Sequence, residues 1–155
     1  MEINYETLPA RKLLILALEI PEAELAGATA DSFARLIAAA EELQLPISGW
    51  PYVGYQKVSL EGQIDTKPLL VEFGLPVERL PETDPLSEGI SSRQTGESKA
   101  AVTDYRGEDS ELELVYRLMI EGIRDEGHQF LHKSYEYYLE DEQGQPLTRI
   151  ELPYL

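Results

Sequence analysis

The sequence contains no cysteine. That removes disulfide staples, thiolate metal sites and thiol catalysis, and it favours a cytoplasmic protein over a secreted disulfide scaffold. Basic residues are also scarce, with 13 Lys and Arg against 29 Asp and Glu for a formal net charge of −16. Such a surface repels phosphate backbones, and no concentrated basic patch offsets it, so direct nucleic-acid binding is not expected. The longest apolar run, Lys12 to Ile20, is far short of the roughly 20 residues that span a bilayer, and no membrane association is expected. Met1 is followed by Glu2 and Glu6 rather than by a basic n-region, so no signal peptide is read. There is no phosphate-cradling glycine loop, dinucleotide fingerprint or Ser-centred nucleophile elbow, and no cofactor is expected. The two histidines, His128 and His132, stand four apart, which on a helix would put two ligands on one face. Gly127 stops the helix before them, so they read as polar residues of a connecting loop with no metal.

What is present is a regular order of elements. Glu2 to Glu6 alternates polar and apolar, Leu8-Pro9-Ala10 breaks it, and Lys12 to Ile20 reads as a buried strand. Phe33, Leu36, Ile37, Ala40 and Leu43 recur at helical spacing, which predicts a helix over Asp31–Leu43 capped by Thr29 or Asp31. Ser48-Gly49-Trp50-Pro51 is a turn into the aromatic strand Tyr52 to Lys57, and Pro68 to Val77 is a further buried strand. Pro, Glu, Asp and Ser dominate residues 79–88, the expected linker.

The plan then repeats. Ile90 to Gln94 and Lys99 to Tyr105 read as strands, and Glu108 to Glu126 as a helix with Leu112, Val115, Tyr116, Met119, Ile120 and Ile123 on its apolar stripe. A Tyr135 strand and Leu147 to Tyr154 follow. Ile3 and Lys12 have the same spacing as Ile90 and Lys99, so an internal duplication is expected, with pseudo-repeats at about 1–78 and 89–155 in a single domain. A cleft on such a molecule lies between its halves.

One stretch stands out chemically. In Ser134-Tyr135-Glu136-Tyr137-Tyr138-Leu139 three tyrosines bracket a carboxylate. Side chains alternate along a strand, so Glu136 and Tyr138 share one face and Tyr135 and Tyr137 the other. A carboxylate among aromatic rings suits a bulky organic cation. A strand glutamate that simply faces water is the plainer reading.

The ordered set of segments resembles the GyrI-like small-molecule-binding family, also found as the effector-binding domain of AraC-type and multidrug-sensing regulators. The resemblance is carried by Ile3-Asn4-Tyr5-Glu6-Thr7-Leu8-Pro9-Ala10-Arg11, by Gly49-Trp50-Pro51-Tyr52-Val53-Gly54-Tyr55 and by Val71 to Val77. It continues through Ser98-Lys99-Ala100-Ala101, Tyr105-Arg106-Gly107, Tyr135 to Leu139 and Thr148 to Pro153. It implies an α+β fold: duplicated strand-helix-strand-strand units forming a curved antiparallel sheet, two helices on one face and an aromatic pocket on the open side. It also implies that Glu136 meets a lipophilic cation there, with Tyr138, Trp50, Tyr52, Tyr55 and Tyr105 as its walls. Val53 falls opposite Glu136, so the cleft is expected to hold one acidic centre. Tyr138 is then expected to face the cleft, and Tyr135 and Tyr137 to pack toward the helices.

Members carry His-x-Gly-Pro-Tyr-Glu where this chain has Tyr105-Arg106-Gly107-Glu108-Asp109-Ser110, and Tyr105 is expected to supply the missing ring. A helix-turn-helix domain like that of the linked regulators is not expected in this chain. Binding of a drug or toxin, for sequestration or as a regulator's effector module, is the function the resemblance implies. One alternative is a hydrolase of strained, cyclopropane-bearing toxins acting through Glu136. A second is a protein-interaction module, with a transcription regulator or DNA gyrase as partner.

Overall fold

Runs rich in Leu, Ile, Val and Tyr, cut by Pro and Gly, form eight strands. They are β1 (Asn4–Leu8), β2 (Lys12–Ile20), β3 (Tyr52–Gln56), β4 (Leu69–Pro76), β5 (Ile90–Gln94), β6 (Ser98–Tyr105), β7 (Lys133–Glu140) and β8 (Pro146–Tyr154). Two helices, α1 (Leu25–Glu42) and α2 (Leu112–Asp125), each follow a single 3-10 turn, at Glu22–Glu24 and Asp109–Glu111. The computed structural model describes residues 1–64, 66–82, 86 and 89–155. The linker expected at 79–88 lies partly outside the described residues.

All eight strands join one antiparallel sheet in the order β1-β6-β8-β7-β3-β4-β2-β5. The two edge strands are exchanged: β1 pairs with β6 and β5 pairs with β2. The central pair is β7 and β3, where Val53 lies directly opposite Glu136 and Tyr52 opposite Tyr137.

Both helices cover the same face, giving the expected α+β architecture. Leu36, Ala39 and Ala40 of α1 and Val115, Tyr116, Met119, Ile120 and Ile123 of α2 are buried with Leu14, Leu16, Val53, Tyr55, Val71, Phe73, Leu75, Ile150 and Leu152 of the sheet. Phe33 meets Phe73 edge to face at 6.0 Å, a favoured aromatic geometry. The opposite, helix-free face carries a smaller cluster of Leu13, Ile15, Tyr52 and Tyr137, with Tyr135 and Leu139 packed against it.

Two expectations need correction. Helix α1 begins at Leu25, not near Asp31, and Thr29 is no cap: its hydroxyl donates to the Leu25 carbonyl at 2.7 Å. The stretch from Leu25 to Ala30 is alanine-rich, which offsets the cost of about 1 kcal/mol that Gly27 puts on continuing the helix through it. The second correction concerns Tyr135 and Tyr137. They alternate with Glu136 as expected, yet they lie on the helix-free face, and Glu136 is on the helix side.

The Tyr52 ring lies across Gly74, its register partner on β4, so a Cβ at Gly74 would fall 2.1 Å from the ring. Gly74→Ala is expected to destabilise the protein by roughly 1–3 kcal/mol through overpacking. A denaturant melt that left the midpoint unchanged would contradict the close approach of ring and backbone.

Candidate functional site

Glu136 sits on β7, in the middle of the sheet, and only 6% of it is exposed. A carboxylate in that position needs hydrogen-bond donors from the same side of the sheet. Two phenols supply them. Tyr116, from the buried stripe of α2, donates to Oε2, and Tyr138, two residues along β7, donates to Oε1 at 3.0 Å. The Tyr116 hydroxyl also lies 3.0 Å from Ser134 Oγ, tying helix to strand. Tyr55, on the same face of β3 as Val53, lines the same cavity wall as Glu136 and Tyr138. The result is a connected phenol–carboxylate cluster whose members come from β7 and α2, with Tyr55 of β3 beside it.

Burial pushes the Glu136 carboxyl above its ordinary range; the Tyr116 and Tyr138 hydrogen bonds pull the other way, and Asp109 adds to the rise. The phenols respond to the same environment. Burial first, and then the Glu136 charge, raise Tyr55, Tyr116 and Tyr138, so all three remain protonated donors at neutral pH.

The cluster forms the inner wall of a cavity of about 1060 Å³ between the N-terminal turns of the two helices. Leu25, Ala26 and Thr29 line it from α1, Leu112, Glu113 and Tyr116 from α2, and Ile64, Pro68 and Leu69 from the connection into β4. Among the described residues its charged lining is Glu22, Asp109, Glu113 and Glu136 against Lys67. Helix N-termini present positive partial charge, and the first-turn acids Glu22 and Glu24 before α1 and Asp109 and Glu111 before α2 offset it. An apolar cavity with an excess of carboxylates attracts cations and excludes anions.

The expected ligand-binding residues divide between two faces. Glu136, Tyr138 and Tyr55 come together in this cavity. Tyr52 is on the helix-free face, its hydroxyl donating to Glu72 Oε2 at 2.8 Å. Trp50 stands at a separate groove beside Pro76 and Tyr137. Tyr105 folds over Gly107 and donates to the Glu108 carbonyl at 2.6 Å, outside the cavity lining. The cavity is therefore on the helix side of the sheet rather than its open side. Sequence reading assigned Tyr116 to the apolar stripe of its helix and missed its role; the available signal was a phenol in a buried stripe, which must find a partner. The histidines have separate partners, His128 stacked on Tyr154 at 4.5 Å and His132 with Nδ1 at 2.8 Å from the Val58 carbonyl. Among the described residues no group of three or more His, Cys, Asp and Glu is placed to hold a metal, and no helix is long and apolar enough to cross a membrane.

The raised pKa of Glu136 has a consequence for stability. Between the ordinary carboxyl value of 4.5 and the higher folded value, the folded protein keeps a proton that the unfolded chain has lost, so stability falls as pH rises through that window. Glu136→Gln removes this loss. Its Tm is expected to exceed that of the original protein at pH 7.5, and the gap to close as pH is lowered below the carboxyl range. A variant less stable at pH 7.5 would show that the carboxylate holds the cluster together more than its burial costs.

No curated protein is similar to this sequence. Among solved structures, the EcmrR C-terminal domain superposes with a TM-score of 0.70 at 14% identity, over 99% of this chain and 97% of that one. In the EcmrR–DNA complex the same likeness covers 57% of the EcmrR chain. A hydrolase encoded by lin2189 from Listeria innocua gives 0.62 at 12% identity, over 99% and 92% of the two chains. SAV2435 bound to tetraphenylphosphonium gives 0.55 at 13% identity, over 100% and 94%. At these identities the superpositions establish a shared fold. The family model of the GyrI-like small molecule binding domain matches residues 1–155 from end to end, and the chain belongs to that family.

Proposed function

We propose that the cavity between the helices captures a lipophilic organic cation, with Glu136 as its charge partner. The observation that carries this reading is a buried carboxylate at the wall of a large apolar cavity whose other charged residues are three acids and one lysine. Tyr116 and Tyr138 donate hydrogen bonds to the carboxylate. A cation arriving beside it gains Coulomb attraction in a site shielded from water, together with the faces of Tyr55 and Tyr138 at about 0.5–2 kcal/mol per ring. Tetraphenylphosphonium, the ligand of the structural neighbour SAV2435, is a cation of this kind.

The symmetric order of the sheet supports reading residues 1–78 and 89–155 as two repeats of one domain. Val53 and Glu136 then occupy equivalent places, facing each other beside the axis, and the cavity holds one central acid rather than two. Binding leads to sequestration or to effector sensing for a transcription regulator; the resemblance to the C-terminal domain of EcmrR, a protein solved on DNA, favours the second output.

A second reading is hydrolysis of a strained electrophile by the same residues. It draws on the raised pKa of Glu136, which suits an acid–base group, and on the shared fold of the Listeria innocua hydrolase.

Calorimetric titration with tetraphenylphosphonium tests the binding proposal. Glu136→Gln is expected to weaken binding by about tenfold or more, equivalent to ~1.4 kcal/mol per factor of ten. Neutral triphenylphosphine oxide is expected to bind both proteins alike. Equal tetraphenylphosphonium affinity in the two proteins would remove Glu136 from its role. Turnover of a cyclopropane-bearing electrophile by the original protein but not by Glu136→Gln would establish the hydrolytic reading instead.

A further inference from the structure

The helix-free face has its own concavity, of opposite electrostatic character. A groove of about 530 Å³ is walled by Pro9, Trp50, Pro76, Tyr137 and Leu139, and it meets a smaller recess at Arg11, Tyr137 and Glu151. Trp50 is the only tryptophan in the chain and is 57% exposed. Neither the core nor the Glu136 cavity uses this ring.

The charged lining of the groove is Arg11, Lys12 and Arg149 against Glu78 and Glu151. One positive charge is in excess, on a molecule whose net charge is −16. The geometry keeps those cations in place without exhausting them. Glu151 is completely buried on β8; Arg11 grips both its oxygens, at 3.1 and 3.2 Å, and Arg149 Nε donates to Oε2 at 3.0 Å. One carboxylate thus orients two guanidinium forks. Each fork has five N–H donors. Arg149 uses Nε on Glu151 and one Nη2 hydrogen at 3.5 Å on Glu6, which leaves both Nη1 hydrogens uncommitted among the described residues. Lys12 Nζ makes one long contact, 3.4 Å to the Glu78 carbonyl. Arg11 also lies 5.6 Å from the centroid of the Tyr137 ring, within cation–π range.

Fixed guanidinium donors beside exposed aromatic surface match a flat ring bearing a carboxylate. A lipophilic cation would meet the two forks and be repelled. We propose that this groove is a second ligand site, which takes a planar aryl carboxylate on the exposed face of Trp50 with its carboxylate toward Arg149 and Lys12. The site is separated from the cation cavity by the thickness of the sheet: Tyr137 and Glu136 are adjacent on β7 and point to opposite faces. The proposal does not depend on what the Glu136 cavity binds.

The probe is 2-naphthoate, titrated by calorimetry and followed through the single indole N–H signal of Trp50 in a nitrogen-15 correlation spectrum. Saturable binding that shifts this signal is expected, with 2-naphthalenemethanol, which lacks the carboxylate, at least about tenfold weaker. Arg149→Gln keeps the Arg11 grip on Glu151 and is expected to weaken 2-naphthoate about tenfold. Lys12→Glu, a rim substitution away from Glu151, is expected to weaken it in the same direction and keeps the test open if Arg149→Gln fails to fold. Glu136→Gln is expected to leave it unchanged. The proposal is overturned by the absence of saturable binding, by equal affinity for the neutral alcohol, by indifference to Lys12→Glu, or by loss of binding in Glu136→Gln.

Discussion

A carboxylate buried at the midline of an eight-stranded sheet can be satisfied only from the side on which it points. Glu136 has Val53 as its neighbour across the strand pair, and a valine side chain offers no donor. The donors must come from further along the same strand and from whatever covers that face. Tyr138 meets the first requirement and Tyr116 the second. Helix α2 is therefore positioned by more than its apolar stripe, because its Tyr116 hydroxyl must reach both Ser134 and Glu136. With Glu136 answered in this way, the helix N-termini leave a cavity above it where closer packing would have excluded any guest.

The two faces of β3 and β7 serve different chemistry from the same few residues. Toward the helices they present Val53, Tyr55, Ser134, Glu136 and Tyr138; toward the other side, Tyr52, Tyr135 and Tyr137. Charge segregates accordingly. Among the described residues Glu136 is hydrogen-bonded only by phenols, whereas Glu72 and Glu151 on the other face are paired with arginines, Glu72 with Arg93 at 3.0 Å. Buried carboxylates of the second kind already have a guanidinium beside them. The first kind has only phenols as hydrogen-bond partners among the described residues.

Much of the fold was legible because it is periodic. Lys12–Ile20 and Ile90–Gln94 emerge as strands with the expected limits, and the apolar stripe of α2 is buried as its spacing implies. Alternation also grouped Glu136 with Tyr138 correctly. Periodicity relates residues along one strand but does not state which face a helix will cover, and that is why Tyr135 and Tyr137 were placed on the wrong side. Side chains brought together by register were out of reach for the same reason. The grip of Arg11 on Glu151 joins residues from opposite ends of the chain, and no local pattern announces it. Trp50 and Tyr52, close to Tyr55 in sequence, do not share a wall with it, because Trp50 stands in the turn before the strand and the three-residue separation of Tyr52 and Tyr55 puts them on opposite faces.

The exchange of edge strands governs the order in which this protein can form. Strand β1 is made before β6, with which it pairs, and β5 returns to β2 across the α1, β3 and β4 segments. Local pairing cannot complete either edge, so closure must wait for contacts between distant parts of the chain, a topology that folds slowly. While β6 is still being synthesised, β1 exposes an unpaired ladder of amides that any other extended chain could join. Four of its five residues are polar or aromatic-polar, Asn4, Tyr5, Glu6 and Thr7, and that composition makes the waiting strand a poor template for aggregation.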